Sequence, residues 1–263
     1  MRLAKAELEN KTVLITGAGS QGGIGADAAE LLAEEGARVL VTGRHRERGE
    51  QVVKTITAAG GNARFLLADL SKLDDVHRLA DEAGEVDVLV NNAAAYALGS
   101  SLELTAENYT AMYDTNVRAP FLLVQRLAPA MIARGSGSII NISTIAARGS
   151  MPGMSLYGST KGAIESLTRS WAAEFAPYNV RVNALAPGTI NTDNVSAVMG
   201  EAWHELEKAN PTKRIGRPRE ISQAVLFLAS DRSSYVSGSV MTVDGAFSSV
   251  LFQRPPITGL VPS

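Results

Sequence analysis

Cysteine is absent from all 263 residues of the chain. Disulfides, thiolate-held zinc and a cysteine nucleophile are therefore excluded. Histidine is scarce: His45, His77 and His204 are the whole set. None stands at ligand spacing from another, which argues against a metal site. There is no basic surplus, with 25 Lys and Arg against 27 Asp and Glu and a net charge of −2. Such a balance leaves no electrostatic footprint for nucleic acid. No run of about 18 apolar residues occurs, so no membrane span is expected. The opening M-R-L-A-K-A-E-L-E-N carries two acids and no long apolar stretch, unlike a signal peptide. These missing signals make a cytoplasmic location the expectation.

What is present is an ordinary globular composition, 45% hydrophobic and 20% charged, in a chain long enough to bury a sizeable core. Apolar runs of β type fall at Thr12–Thr16, Val39–Thr42, Ala63–Ala68, Val86–Val90, Ser138–Ile142, Val180–Ala186 and Val240–Val243. Helical patterns lie between them, near 23–35, 46–59, 72–83, 105–133, 155–176 and 218–230. The alternation predicts an α/β fold, a doubly wound parallel sheet of about seven strands with helices on both faces. Several runs, such as R-V-L-V-T, are continuously apolar, as strands covered on both sides must be. No linker or repeat divides the chain, so residues 1–263 read as a single domain.

The first strand enters G-A-G-S-Q-G-G-I-G, Gly17 to Gly25, and then a helix. Glycines such as Gly17, Gly19, Gly23 and Gly25 let the backbone turn tightly and approach a phosphate closely. The helix that follows offers free N–H groups and the positive end of its dipole. Strand, glycine loop and helix together are the dinucleotide-binding context of a Rossmann-type sheet. The loop's Ser20, Gln21 and Ile24 join the candidate cofactor contacts. At the end of the second strand the position of a ribose-holding acid is taken by Gly43, followed by Arg44. An arginine can pair with a 2′-phosphate, which favours NADP(H), with NAD as the alternative. Asp69, before Leu70, either accepts a bond from adenine or caps the next helix. Asn91-Asn92-Ala93-Ala94 closes the fourth strand with small residues against which a flat cofactor can lie. Asn116 is a polar residue inside an apolar helical stretch and needs partners if buried. Pro120 is expected to kink that helix or distort it locally.

Downstream, Ser143 and Thr144 leave the fifth strand, and Tyr157 and Lys161 follow on a helix. Residues four apart share a helix face, roughly 6 Å apart along the axis. A neighbouring ammonium is expected to lower the phenol pKa and make it a usable acid/base.

Taken in order, these motifs resemble the short-chain dehydrogenase/reductase family across residues 8 to 247. The resemblance rests on T-G-A-G-S-Q-G-G-I-G at Thr16, D-L at Asp69, N-N-A at Asn91, Asn116, S-T at Ser143, Y-x-x-x-K at Tyr157 and A-P-G-T-I-N-T at Ala186. R-I-G-R-P-R-E at Arg214 and Y-V-S-G-S-V-M-T-V-D-G extend it towards the C-terminus. The resemblance implies a nicotinamide cofactor, a homotetramer or dimer, and an Asn–Ser–Tyr–Lys catalytic group. Tyr157 would donate the proton in carbonyl reduction, Lys161 would hold the nicotinamide ribose, and Asn116 would hold a relay water. The family's serine sits thirteen residues before the tyrosine, which lands here on Thr144; a one-residue shift would give Ser143 instead. Pro187, Gly188, Ile190 and Thr192 would meet the nicotinamide. The glycine loop is about two residues longer than the common form, and Gln21 stands where NADP-dependent relatives often carry a basic residue.

The implied activity is an NADP(H)-dependent interconversion of a small-molecule carbonyl compound and an alcohol. The alternatives are a 3-oxoacyl-thioester reductase, for which Arg126, Arg134 and Arg169 are candidate carrier contacts, and a non-catalytic nucleotide sensor. Tyr96, Met151, Met154 and Trp203 suggest an apolar substrate pocket, and 193–211 a lid over it or a packing segment. The Pro-rich tail near 248–263 either crosses a subunit interface or is disordered.

Overall fold

The computed structural model describes residues 6–149, 152–193 and 202–250. Seven strands form one sheet: β1 (Thr12–Ile15), β2 (Arg38–Gly43), β3 (Asn62–Leu67), β4 (Val88–Asn91), β5 (Gly137–Ile142), β6 (Val180–Pro187) and β7 (Val240–Val243). All pairings are parallel, in the order β3-β2-β1-β4-β5-β6-β7. The order reverses between β1 and β4, and a crevice for a ligand opens at the carboxyl ends of the strands there.

The helices are α1 (Ile24–Glu34), α2 (Arg46–Ala58), α3 (Leu73–Ala83), α4 (Ala106–Tyr113), α5 (Ala119–Arg134), α6 (Ser155–Phe175), α7 (Ala202–Ala209) and α8 (Pro218–Ala229). Strand residues alternate faces. Val13, Ile15, Val39, Val41, Val88 and Val90 pack under α1, α2 and α8. Leu14, Leu40, Leu66, Leu89, Ile139 and Val182 pack under α3, α5 and α6. Each such side chain, fully buried, contributes roughly 1.5–3 kcal/mol. No helix of the described residues is long and apolar enough to cross a membrane.

One expected element differs. The helical stretch over 105–133 is two helices joined by a π-helical turn, Asp114–Arg118. Thr105 opens α4 with a reciprocal capping box to Asn108. Pro120 stands at the start of α5. It has no N–H to return to the carbonyl four residues back, that of Asn116, and the chain widens there, the local distortion that a proline was expected to bring. Strand ends also shift by a residue or two: the fourth runs to Asn91 and the sixth to Pro187.

Candidate active site

The cofactor end is built by the loop between β1 and α1. Gly17 has φ +66° and lies so close to the end of β4 that a Cβ there would stand 2.6 Å from the Ala93 Cα. A Cβ at Gly25 would stand 2.5 Å from the Asn92 amide nitrogen. Asn92 Nδ2 donates to the carbonyls of Thr16 at 2.9 Å and Gly17 at 3.1 Å. The Thr16 hydroxyl accepts from the backbone N–H groups of Asn92 and Ala93, both at 3.0 Å. Helix α1 begins after Gly23, and no side chain caps it. Its first N–H groups thus face the loop without a side-chain acceptor, and the residues fit a bound pyrophosphate.

The extra loop length is spent towards α2. Gln21 Nε2 donates to Thr55 Oγ1 at 2.9 Å, which makes Gln21 a strut to α2. Gly19 rests on β2, where an added Cβ would come 3.4 Å from the Gly43 Cα. Arg44 is exposed. Asp69 closes a local turn ahead of α3: its Oδ1 accepts from the Ser71 N–H at 3.1 Å and hydroxyl at 2.8 Å, while α3 itself starts after Lys72 without a side-chain cap. Leu70 is core, and Ala94 is exposed. Across the crevice, Pro187 ends β6, the Gly188 N–H donates to the Val243 carbonyl at 3.0 Å, and Ile190 is buried beside Gly216. The Asp193 carboxylate covers Gly22, where a Cβ would meet it at 2.5 Å.

The reacting end is built on α6. Lys161 is 3% exposed. Its ammonium donates to the Ile142 carbonyl at 2.7 Å, at the end of β5, and lies 5.8 Å from the centroid of the Tyr157 ring. Here the expected direction of one pKa is corrected. Burial, with Tyr96 adding to it, pushes the Tyr157 phenol up to about 12. Burial pushes the Lys161 ammonium down to about 8. The ammonium is turned onto the strand carbonyl, so desolvation outweighs its attraction for a phenolate.

Asn116 is 1% exposed and fully used. Its side chain accepts from the Ala95 N–H and donates to the Ala95 carbonyl, both at 2.8 Å. It also donates to the Thr160 hydroxyl at 3.0 Å, which in turn donates to the Tyr157 carbonyl at 2.8 Å. The π turn thereby ties the loop after β4 to the first turns of α6.

The two hydroxyls after β5 part company, as successive strand residues must. Ser143 is buried and donates to Glu165 Oε1 at 2.8 Å. Thr144 caps the short turn Ile145–Ala147, accepting from the Ala146 N–H at 3.3 Å. That turn presses on α6 at Gly158, where a Cβ would come 2.7 Å from the Ala146 carbonyl oxygen. The residue beside Tyr157 must be small for the Thr144 loop to sit there. Of the suggested pocket residues, Tyr96 is 49% exposed and Met154 precedes α6 half-buried. Met151, the Trp203 side chain and 194–201 of the proposed lid lie outside the described residues, as do 251–263 of the tail.

Thr16, Asn141, Thr160, Arg148 and Glu165 carry contacts for which the sequence suggested no role. Asn141 accepts from Asn91 Nδ2 at 2.8 Å and donates to Thr168 at 2.9 Å, a buried polar chain under the site. A polar residue inside an apolar strand run was the available signal for Asn141.

A parallel doubly wound sheet with a glycine loop after its first strand is an architecture shared with known oxidoreductases. The family described as enoyl-(acyl carrier protein) reductase matches residues 17–248. A solved structure described as a short chain dehydrogenase/reductase family protein is 48% identical, with TM-score 0.86, covering 92% of this chain and 99% of its own. A gluconate 5-dehydrogenase from Burkholderia cenocepacia, in complex with NADP and tartrate, is 32% identical with TM-score 0.87, covering 94% and 98%. The 3-oxoacyl-[acyl-carrier-protein] reductase of Chlamydia trachomatis is 37% identical over 243 residues, 90% of this chain and 97% of that protein. The chain belongs to the short-chain dehydrogenase/reductase family, whose enzymes act on CH–OH and C=O groups.

Proposed function

We propose that the chain is an NADP(H)-dependent oxidoreductase interconverting a carbonyl compound and an alcohol, with Tyr157 as its acid/base. The observation that carries this reading is the buried Tyr157–Lys161 pair on one face of α6, beside the Thr144 loop. When bound, the nicotinamide supplies or accepts the hydride. Gly17, Gly23, Gly25 and the start of α1 hold the pyrophosphate. Arg44 meets the 2′-phosphate, and Lys161 meets the nicotinamide ribose. Thr144 donates a hydrogen bond to the carbonyl oxygen and fixes its position. Tyr157 gives its proton to that oxygen in reduction and takes it back in oxidation. A phenol held at about 12 is protonated at neutral pH, the state a proton donor needs. Asn116 holds the turn beside which the relay water binds. NADP in the Burkholderia neighbour supports the cofactor. A homotetramer goes with the reading.

Two arms of substrate chemistry deserve assay, a 3-oxoacyl thioester and a keto sugar acid, after the relatives' names. On the carrier-contact side, Arg126 is paired with Asp81, and Arg134 reaches Glu85 and Asp87. All three are exposed, but two of them are already held by carboxylates of their own fold, which weighs against a dedicated carrier-protein surface there. The test is NADPH consumption with acetoacetyl-CoA, a ketogluconate and a panel of simple ketones. Tyr157→Phe is expected to lower turnover by ~10²–10⁴ while NADPH still binds. A Phe variant near the wild-type rate would sink the assignment. NADPH binding with no turnover on any carbonyl would favour the sensor.

A further inference from the structure

Glu165 is a carboxylate 4% exposed, two turns along α6 from Tyr157 and on the same face. The chemistry just assigned makes no use of it. Both its oxygens are engaged, and both partners lie in the segment that carries Thr144. Oε1 accepts from the Ser143 hydroxyl at 2.8 Å, the residue before Thr144. Oε2 accepts from Arg148 Nε at 3.1 Å, the residue after the Ile145–Ala147 turn. Ser143 is fixed a second way, its N–H donating to the Leu185 carbonyl at 2.7 Å. One buried carboxylate therefore pins the loop at both ends, with Thr144 in between.

A buried charge is costly unless paired and fully hydrogen-bonded. A neutral residue of similar shape would hold α6 against β5 without that cost. The carboxylate gains two charge-strengthened bonds of fixed direction. Arg148, its side chain 51% exposed, closes the clamp from the solvent side.

We propose that Glu165 is a positioning residue, which with Ser143 and Arg148 holds the Thr144 hydroxyl at its place beside Tyr157. The proposal rests on the role given to Thr144 above. Its test is a double-mutant cycle on the full-length protein, with acetoacetyl-CoA or, if only that turns over, a ketogluconate. Glu165→Gln keeps the shape and the Ser143 bond but loses the ionic bond to Arg148. It is expected to lower kcat about tenfold, with the KM for NADPH, the NADPH affinity by fluorescence and the thermal midpoint little changed. In a Thr144→Val background the same change is expected to cost under about twofold, since the hydroxyl it positions is gone. Arg148→Gln, at a half-exposed site, is the second route should Glu165→Gln not fold, and the same loss of effect in the Thr144→Val background is expected. Equal losses in both backgrounds, or no loss in the wild-type background, overturn the proposal. Undiminished kcat in Thr144→Val alone removes the role of Thr144, and the proposal with it, while Tyr157→Phe still reports separately on the reaction class.

Discussion

At the scale of the residue, Lys161 shows how a reactive site strains the stability of its own fold. Its pKa in the folded chain is about 8, against an ordinary 10.5. Between those values the unfolded chain holds a proton that the folded chain has released. Stability therefore rises with pH through that window and is lowest below it, where folding must bury a charge. Tyr157 acts oppositely: its phenol is raised from 10 to about 12, so its stabilising effect is lost only as pH climbs through that later interval. From pH 8 to 10 the lysine effect stands alone, with a limiting slope of about 1.4 kcal/mol per pH unit. Urea unfolding of the cofactor-free protein across that range should show a slope that Lys161→Met removes. Equal slopes in the two proteins would mean that the folded chain keeps the lysine protonated. The pair itself was legible as spacing, whereas Thr144 came from the family resemblance, by counting back from Tyr157, with Ser143 as its alternative. Glu165 was not legible, because a carboxylate on an amphipathic helix reads as surface until its partners Ser143 and Arg148 are placed around it.

At the scale of the element, apolar periodicity found both halves of the stretch over 105–133 but not the π turn between them. A one-residue widening barely disturbs a helical pattern, and Pro120 at the start of α5 was its only mark. The lengthened glycine loop was visible in the sequence, but its path was not. In the fold three glycines from three elements meet around the Phe65 ring: Gly19 of the loop, Gly43 of β2 and Gly49 of α2. A Cβ at Gly43 would stand 3.2 Å from the Gly19 Cα and 3.4 Å from its nitrogen. An acid at this position is the usual device for holding an unphosphorylated ribose, yet here its side chain would press on the loop proposed to cradle the phosphates. Gln21, bonded to Thr55, resists the loop's retreat. Gly43→Asp is thus expected to weaken NADPH and NADH binding together, each about tenfold or more by fluorescence titration. Tight NADH binding in that variant would show that the loop yields freely.

At the scale of the whole molecule, the seven strands were legible because both faces of the sheet are covered and the runs had to be apolar throughout. Strand order was not, since pairing is fixed by crossovers that no single segment encodes. The two edges are unlike. β3 carries Asn62 and Arg64 on its open side of the sheet, the charged and polar edge that discourages further pairing. β7 reads Val-Met-Thr-Val, without charge or proline, and its side chains are only partly covered within one chain. Such an edge invites cover from a second copy, as a homotetramer would give. Hydrogen exchange on the assembled protein should then find the β7 amides at Val240–Val243 slower than those of β3, and dilution to monomers should erase the difference. If β7 exchanges as fast as β3 at every concentration, that edge is open in solution and the copies meet elsewhere. The central strands β1, β4 and β5 supply the internal standard, since their nearly continuous burial leaves global unfolding as their route to exchange.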